Sequence, residues 1–241
     1  MKSTSHFAIG HLLNAALQNR GVYLNRIAFV YGNIAPDYDP NLLIPTHFTK
    51  TCERMINEIS TDLSARPLEA DGRVGAEYSK RLGILCHFIC DYFCRAHNKS
   101  FEGGLKQHAF YENRLDQYLR HSFQTLFDLD GEELPKTYTT VQELTSAVEE
   151  TKAGYLSAPA TLRSDLSCAF SVCMQVICSL TAMSRQNEAH HSQLWFDELL
   201  AQLKGYATGE SLVFRMFFYK NRKNNIFFLP DLLMPPIVCR A

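Results

Sequence analysis

Two histidines stand four residues ahead of a carboxylate: His87 before Asp91 within LGILCHFICDYFCRAHN, and His108 before Glu112 within KQHAFYENRLDQYL. On a helix, residues four apart share a face, so each pair can grip one metal ion from one side. His97 follows Asp91 near the expected helix end, within reach of a second ion. The first pair has apolar surroundings in Leu82, Ile84, Leu85, Phe88, Ile89 and Phe93. An imidazole and a carboxylate buried there need a partner. A metal supplies one, and so does a plain His–Asp hydrogen bond. Taken alone, the second pair reads equally as a surface pair on an amphipathic helix. Two such pairs on consecutive antiparallel helices can turn their ligand faces toward one bundle core.

The remaining donors lie upstream. Gly32-Asn33-Ile34-Ala35-Pro36-Asp37 reads as a loop that aims Asp37, because Pro and Gly break helical and strand periods alike. His47 would open the next helix behind Thr46 as a cap. His6 sits near the start of the first helix. His11 is its rival on a different face, and His6 is preferred because it lies nearer the chain start. Together His6, Asp37, His47, His87, Asp91, His97, His108 and Glu112 offer imidazole and carboxylate without thiolate. That donor set suits zinc at open, catalytic sites. Asp116 is a candidate to orient a ligand histidine from behind. Asn113 and Arg114 read as solvent-facing, and His121, His190 and His191 as surface or cap residues.

The cysteines read as packing. Six of the eight fall in two runs, Cys86/Cys90/Cys94 and Cys168/Cys173/Cys178, each along one side of a helix, where thiols do not readily pair. Cys86, Cys90 and Cys94 lie one position before or three after the ligand candidates, about 100° round the helix. Reduced thiols acting as small core hydrophobes favour a cytoplasmic location.

The elements that must carry these residues are helices. Periodicity places them at about 5–20, 46–63, 75–96, 106–127, 140–155, 160–184 and 189–203, with 22–31 as a short helix or strand. Loops fall at 32–40, 66–73 and 128–136, and strand signals are nearly absent. The expected fold class is all-α, a multi-helix bundle. Residues 1–208 are expected to form one helical domain, and 209–241 an irregular or packed tail in which aromatics alternate with Arg215, Lys220, Arg222 and Lys223. The tail offers a peripheral membrane contact, though packing on the helices is preferred. The most apolar stretch, Leu166 to Met183, is interrupted by Ser167, Ser171, Gln175, Ser179 and Thr181 and reads as a central helix rather than a membrane span. No cleavable signal peptide is expected from the N-terminal pattern.

Composition sets outer limits. Lys+Arg number 24 against 25 Asp+Glu, a net charge of −1. This excludes a strongly basic nucleic-acid binder held by bulk electrostatics. With 46% hydrophobic residues, it also excludes the disordered class.

The order of the motifs resembles the zinc-dependent phospholipase C family, to which a group of zinc nucleases is related. The matching residues are His6, Asp37 in a G-x-x-x-P-D stretch, His47, His87-x-x-x-Asp91-x-x-x-x-x-His97 and His108-x-x-x-Glu112, over roughly residues 5–120. The resemblance implies an all-α domain with a cluster of up to three zinc ions. Asp37, His47, His87 and Asp91 would hold one. His97, His108 and Glu112 would hold a second, and Asp91 would bridge to a third bound by His6. Family members complete that third site with the amine and carbonyl of an N-terminal Trp. The only Trp here is Trp195, so two zinc ions are expected, and the third site is either absent or completed by water or another side chain. The C-terminal β-sandwich of the toxin-like members is not expected.

The activity so implied is hydrolysis of a phosphodiester, of which a phospholipid is one candidate, by metal-activated water. Asp37 would ligate zinc or accept the proton of that water. The alternatives are a nuclease of the same group, less favoured by the neutral charge, and a zinc-stabilised scaffold without turnover. An HD-type phosphohydrolase ranks lowest, because no His-Asp dipeptide occurs.

Overall fold

A computed structural model describes residues 1–39, 49–66, 68, 74–127, 134–159 and 161–207, with side chains of the last helix described to residue 187. Among these residues there are seven α-helices: α1 (Ser3–Asn19), α2 (Arg26–Tyr38), α3 (Thr49–Ser64), α4 (Ala76–Tyr92), α5 (Leu105–Leu126), α6 (Val141–Ser157) and α7 (Leu162–Ala207). A 3-10 turn, Arg95–His97, follows α4. The described residues contain no strand, only an isolated bridge between Leu24 and Val74. The fold is all-α. The chain divides into compact units at Met1–Gln193 and Leu194–Ala241. Within the second, only the end of α7, to Ala207, is described. The aromatic and basic tail, 209–241, lies outside the described residues, as do the start expected for the third helix and most of the 128–136 turn.

Two boundaries differ from the sequence reading for clear reasons. Residues 32–38 are helical, although Gly32 and Pro36 fall inside α2. Pro36 forfeits one backbone donor, but Gly32 is what lets α2 lie against α4. A Cβ on Gly32 would overlap the carbonyl oxygen of Lys80, and a Cβ on Gly83 would overlap that of Phe29. The two glycines face each other where the helices cross, so backbones touch and neither residue acts as a breaker. At the N-terminus of α2, Asn25 accepts from Ala28 N at 3.1 Å and donates its own backbone N–H to Ser79 Oγ at 2.9 Å, tying α2 to α4. The second difference lies at the C-terminus, where one continuous helix, α7, replaces the two expected after residue 160.

The core centres on α4, which is buried nearly all round from Leu82 to Tyr92. Ile9, Leu13 and Leu17 of α1, Phe29 of α2, Leu63 of α3 and Leu115 of α5 pack in the same core cluster. The first part of α7, Leu162–Asn187, is long and apolar enough to cross a membrane by length and composition, yet 72% of its most apolar window is buried in the bundle. Its polar side chains are satisfied there. Thr181 Oγ1 donates to Ile177 O at 2.8 Å, and Ser184 Oγ donates to Leu63 O at 3.2 Å. The seven described cysteines form no disulfide with one another, and six of them are buried.

Candidate metal centre

The centre is assembled by four elements around the C-terminal end of α4. His87 and Asp91 share one face of α4, and both are buried. His87 Nδ1 donates to the Asn33 carbonyl at 2.9 Å, which leaves Nε2 directed into the cluster. Nε2 lies 3.5 Å from Asp91 Oδ2 and 3.9 Å from Asp37 Oδ1. The α2–α4 contact therefore supplies both groups that address His87: a carbonyl behind it and a carboxylate ahead. Asp37 stands on the last turn of a helix rather than in a loop, and its other oxygen accepts from Ser3 Oγ at 2.7 Å.

The first turn of α1 closes over this cluster. The His6 ring stacks on that of His87, with centroids 3.9 Å apart and an interplanar angle of 23°. His6 Nε2 is 3.3 Å from Asp91 Oδ1. Both ring nitrogens of His6 are buried without a hydrogen-bond partner. The Met1 nitrogen, an ammonium where Met1 begins the chain, donates to Asp91 Oδ1. It lies 3.0 Å from His97 Nε2 and 3.2 Å from Glu112 Oε1. His11 takes no part: it lies beside Arg26, 3.2 Å from its guanidinium.

The far side is built by the break after α4 and by α5. The helix stops at Tyr92, and the 3-10 turn swings His97 back toward it. His97 Nε2 stands 3.0 Å from Glu112 Oε1 and 3.7 Å from Asp91 Oδ1. His108 Nε2 stands 3.1 Å from the same Glu112 oxygen. Two sets of ligand atoms each lie within 4.8 Å of one another: His6, His87 and Asp91, and Cys94, His97 and Glu112. His47 lies outside the described residues.

Asp116 does not reach a histidine. It accepts from Thr4 Oγ1 at 2.8 Å, Ser5 Oγ at 3.0 Å and Arg120 Nε at 3.0 Å. It thereby pins the turn that carries Met1 and His6. Burial pushes its pKa up, but those three donors prevail and hold it below the usual carboxylate range. We expect Asp116→Ala to weaken zinc binding about tenfold, the range typical of groups that orient ligands. Zinc titration with a competing chelator checks this, and an unchanged affinity would refute it.

The electrostatics show a site short of positive charge. Burial opposes a charge on His6, yet the Asp91 carboxylate prevails and raises its pKa to about 9. His87 is held well below its ordinary value by burial, reinforced by the charge on His6. Burial disfavours the Met1 ammonium too, but Asp91 and Glu112 raise its pKa overall. Glu112 is pushed up by burial and pulled down further by His97, the Met1 amine and His108, to about 2. Burial, helped by the Asp165, Asp91 and Glu112 carboxylates and opposed by the Met1 ammonium, pushes the Cys94 thiol up to about 12. In this arrangement the Met1 ammonium stands among Asp91, His97 and Glu112, where a metal cation would find donors on three sides. The orphaned His6 nitrogens and the imidazole–carboxylate donor set both fit zinc.

Several of these groups were not legible in the sequence. Asn33, Ser3 and the Met1 nitrogen meet the site only through the packing of α1 and α2 on α4. Cys86, Cys90 and Cys94 all pack in the core as expected, but α4 ends at Tyr92, so the helical spacing argument covers Cys86 and Cys90 and not Cys94, whose Sγ lies within 4.8 Å of ligand atoms of His97 and Glu112. A helix-end signal after Asp91 would have flagged it.

The family model for zinc-dependent phospholipase C matches residues 5–161, which run from within α1 to beyond the end of α6 and include His6, Asp37, His87, Asp91, His97, His108 and Glu112. Neither a curated protein nor a solved structure matches the chain. With the match covering well over half its length, the chain belongs to the zinc-dependent phospholipase C family.

Proposed function

We propose that the protein is a zinc-dependent hydrolase of phosphoric diesters, phospholipase C-like, with a phospholipid as substrate. The observation that carries this reading is the convergence of His6, His87, His97 and the Met1 amine on one buried carboxylate, Asp91. In this reading Asp37, His47, His87 and Asp91 hold one zinc, and His97, His108 and Glu112 a second. His6 and Asp91 would contribute to a third. Zinc, when bound, supplies Lewis acidity and a water acidified toward a pKa of about 7. The chain's own residues do the rest. Asp37 is only partly buried, and its Oδ2 accepts from Ser3 Oγ; its Oδ1, 3.9 Å from His87 Nε2, would either ligate zinc or accept the proton of the attacking water. A cavity of about 390 Å³ is lined by Ser3, whose hydroxyl donates to Asp37, and by Phe7, Ile34, Tyr38 and Arg120 among others. Its apolar walls suit the hydrocarbon side of a lipid, and the Arg120 guanidinium suits the phosphate.

The described cysteines, which form no disulfide with one another, support a reducing compartment, and we place the protein in the cytoplasm. Membrane contact through residues 209–241 belongs to the same proposal.

Elemental analysis and turnover of bis-p-nitrophenyl phosphate and of phospholipid vesicles test the reading. The expected result is two or three zinc per chain, chelator-sensitive hydrolysis, and loss of both on His87→Ala. Zinc without turnover would point instead to a zinc-stabilised scaffold, and zero zinc would sink the proposal.

A further inference from the structure

We infer that Cys94 is a thiolate ligand of the second metal site, which makes that site a mixed sulfur, nitrogen and oxygen centre with His97, His108 and Glu112. The inference rests on the reading that the cluster holds zinc, and it adds a donor that the imidazole–carboxylate pattern lacks.

The geometry is specific to this thiol. Cys94 is fully buried, and its Sγ, a His97 ring nitrogen and a Glu112 carboxylate oxygen lie within 4.8 Å of one another. His97 and His108 each approach Glu112 Oε1, at 3.0 and 3.1 Å. Zinc holds sulfur at about 2.3 Å and nitrogen or oxygen at about 2.0 Å, so tetrahedral ligand atoms sit roughly 3.5 Å apart. Drawing the three onto one ion therefore asks for about 1 Å of closure.

The backbone aims the side chain. Cys94 leaves the helix in an extended conformation (φ −91°, ψ 121°) before the chain re-enters the 3-10 turn. Its carbonyl accepts from His97 N at 3.0 Å and from Asn98 Nδ2 at 2.8 Å. Asn98 is held in turn by buried Lys152, whose Nζ donates to Asn98 Oδ1 at 2.6 Å and also to the Tyr92 carbonyl. The segment from Tyr92 to Asn98 is thus clamped from α6, with Cys94 and His97 presented together. The other buried thiols nearby differ. Cys86 and Cys90 lie within regular helix, and Cys173 Sγ donates to the Cys86 carbonyl at 3.8 Å, a packing contact.

On binding, the thiol proton leaves to solvent and the thiolate takes its place at the ion. Cys94, His97 and Glu112 then supply three protein donors to the second site, with His108 reaching the same Glu112 oxygen.

Cobalt(II) reports thiolate ligation directly. Metal-free protein reloaded with cobalt(II) is expected to show a near-ultraviolet sulfur-to-cobalt charge-transfer band. Cys94→Ser should lose it, and Cys90→Ser should keep it. X-ray absorption at the zinc edge of the wild-type protein needs no variant to fold, and a sulfur scatterer at about 2.3 Å is expected. A band that survives Cys94→Ser, or a zinc shell of nitrogen and oxygen alone, overturns the inference and leaves the hydrolase reading standing. Absence of any bound metal overturns both.

Discussion

Asp91→Asn is expected to abolish hydrolysis and strip metal from the protein, while preserving the shape of the side chain. Asp91 is the one carboxylate addressed by His6, His87, His97 and the Met1 amine, and it is 2% exposed. An amide keeps the volume but removes the negative charge that holds up the His6 pKa and faces the Met1 ammonium. Turnover should fall by about a thousandfold or more, in line with loss of a preorganised electrostatic group from a dry site. Zinc content should fall below one per chain. The metal-free protein should also lose about 3 kcal/mol, because the Met1 ammonium is left buried without its principal counter-charge. Chemical denaturation with and without chelator, alongside elemental analysis, separates the two effects. His11→Ala, on the same helix but outside the cluster, should show neither. Retention of zinc and turnover in Asp91→Asn would remove the basis for a shared bridging carboxylate.

Gly83→Ala is expected to be the most damaging substitution away from any ligand. A methyl there would overlap the Phe29 carbonyl oxygen and stand 2.9 Å from both Asn33 N and Gly32 Cα. These are backbone atoms that cannot rotate away, so α2 must move off α4. Overpacking of a rigid contact costs about 3 kcal/mol. The same displacement withdraws the Asn33 carbonyl from His87 Nδ1 and Asp37 from His87 Nε2, so zinc affinity should fall together with stability. Gly154→Ala in α6 supplies the contrast. Nothing lies within 4 Å of the added Cβ, and better helix propensity should stabilise by up to about 1 kcal/mol. Thermal melts of the two variants check the pair. A Gly83→Ala protein that melts like wild type would show that the helix crossing is not backbone-limited.

The two i, i+4 pairs were readable because helical periodicity is strong across 76–92 and 105–126, and spacing on a regular helix fixes a shared face. His6 was separable from His11 only by its nearness to the chain start. The structure puts a physical reason behind the choice, since His6 stacks on His87 while His11 turns to Arg26. Asp37 was read as a loop residue because Gly32 and Pro36 usually interrupt a helix. A glycine at a helix crossing is a tertiary requirement that has no local signature. Asp116 was singled out for the right neighbourhood and given the wrong partner: it holds Thr4 and Ser5 rather than a histidine.

The sequence by itself determined the all-α class, the order of imidazoles and carboxylates, and the zinc family to which the chain belongs. These depend on residue type and on spacing along regular helices, and both are local properties. Only the tertiary structure decided which atoms meet. The Gly32–Gly83 contact brings Asn33 and Asp37 to His87, and Asp116 fastens the α1 turn that delivers Met1 and His6. The end of α4 at Tyr92 leaves Cys94 outside the helix, packed in the core with its Sγ within 4.8 Å of ligand atoms of His97 and Glu112. Each of these hangs on where one helix stops or how closely two can approach. That is settled by packing between residues far apart in the chain, which no spacing rule encodes.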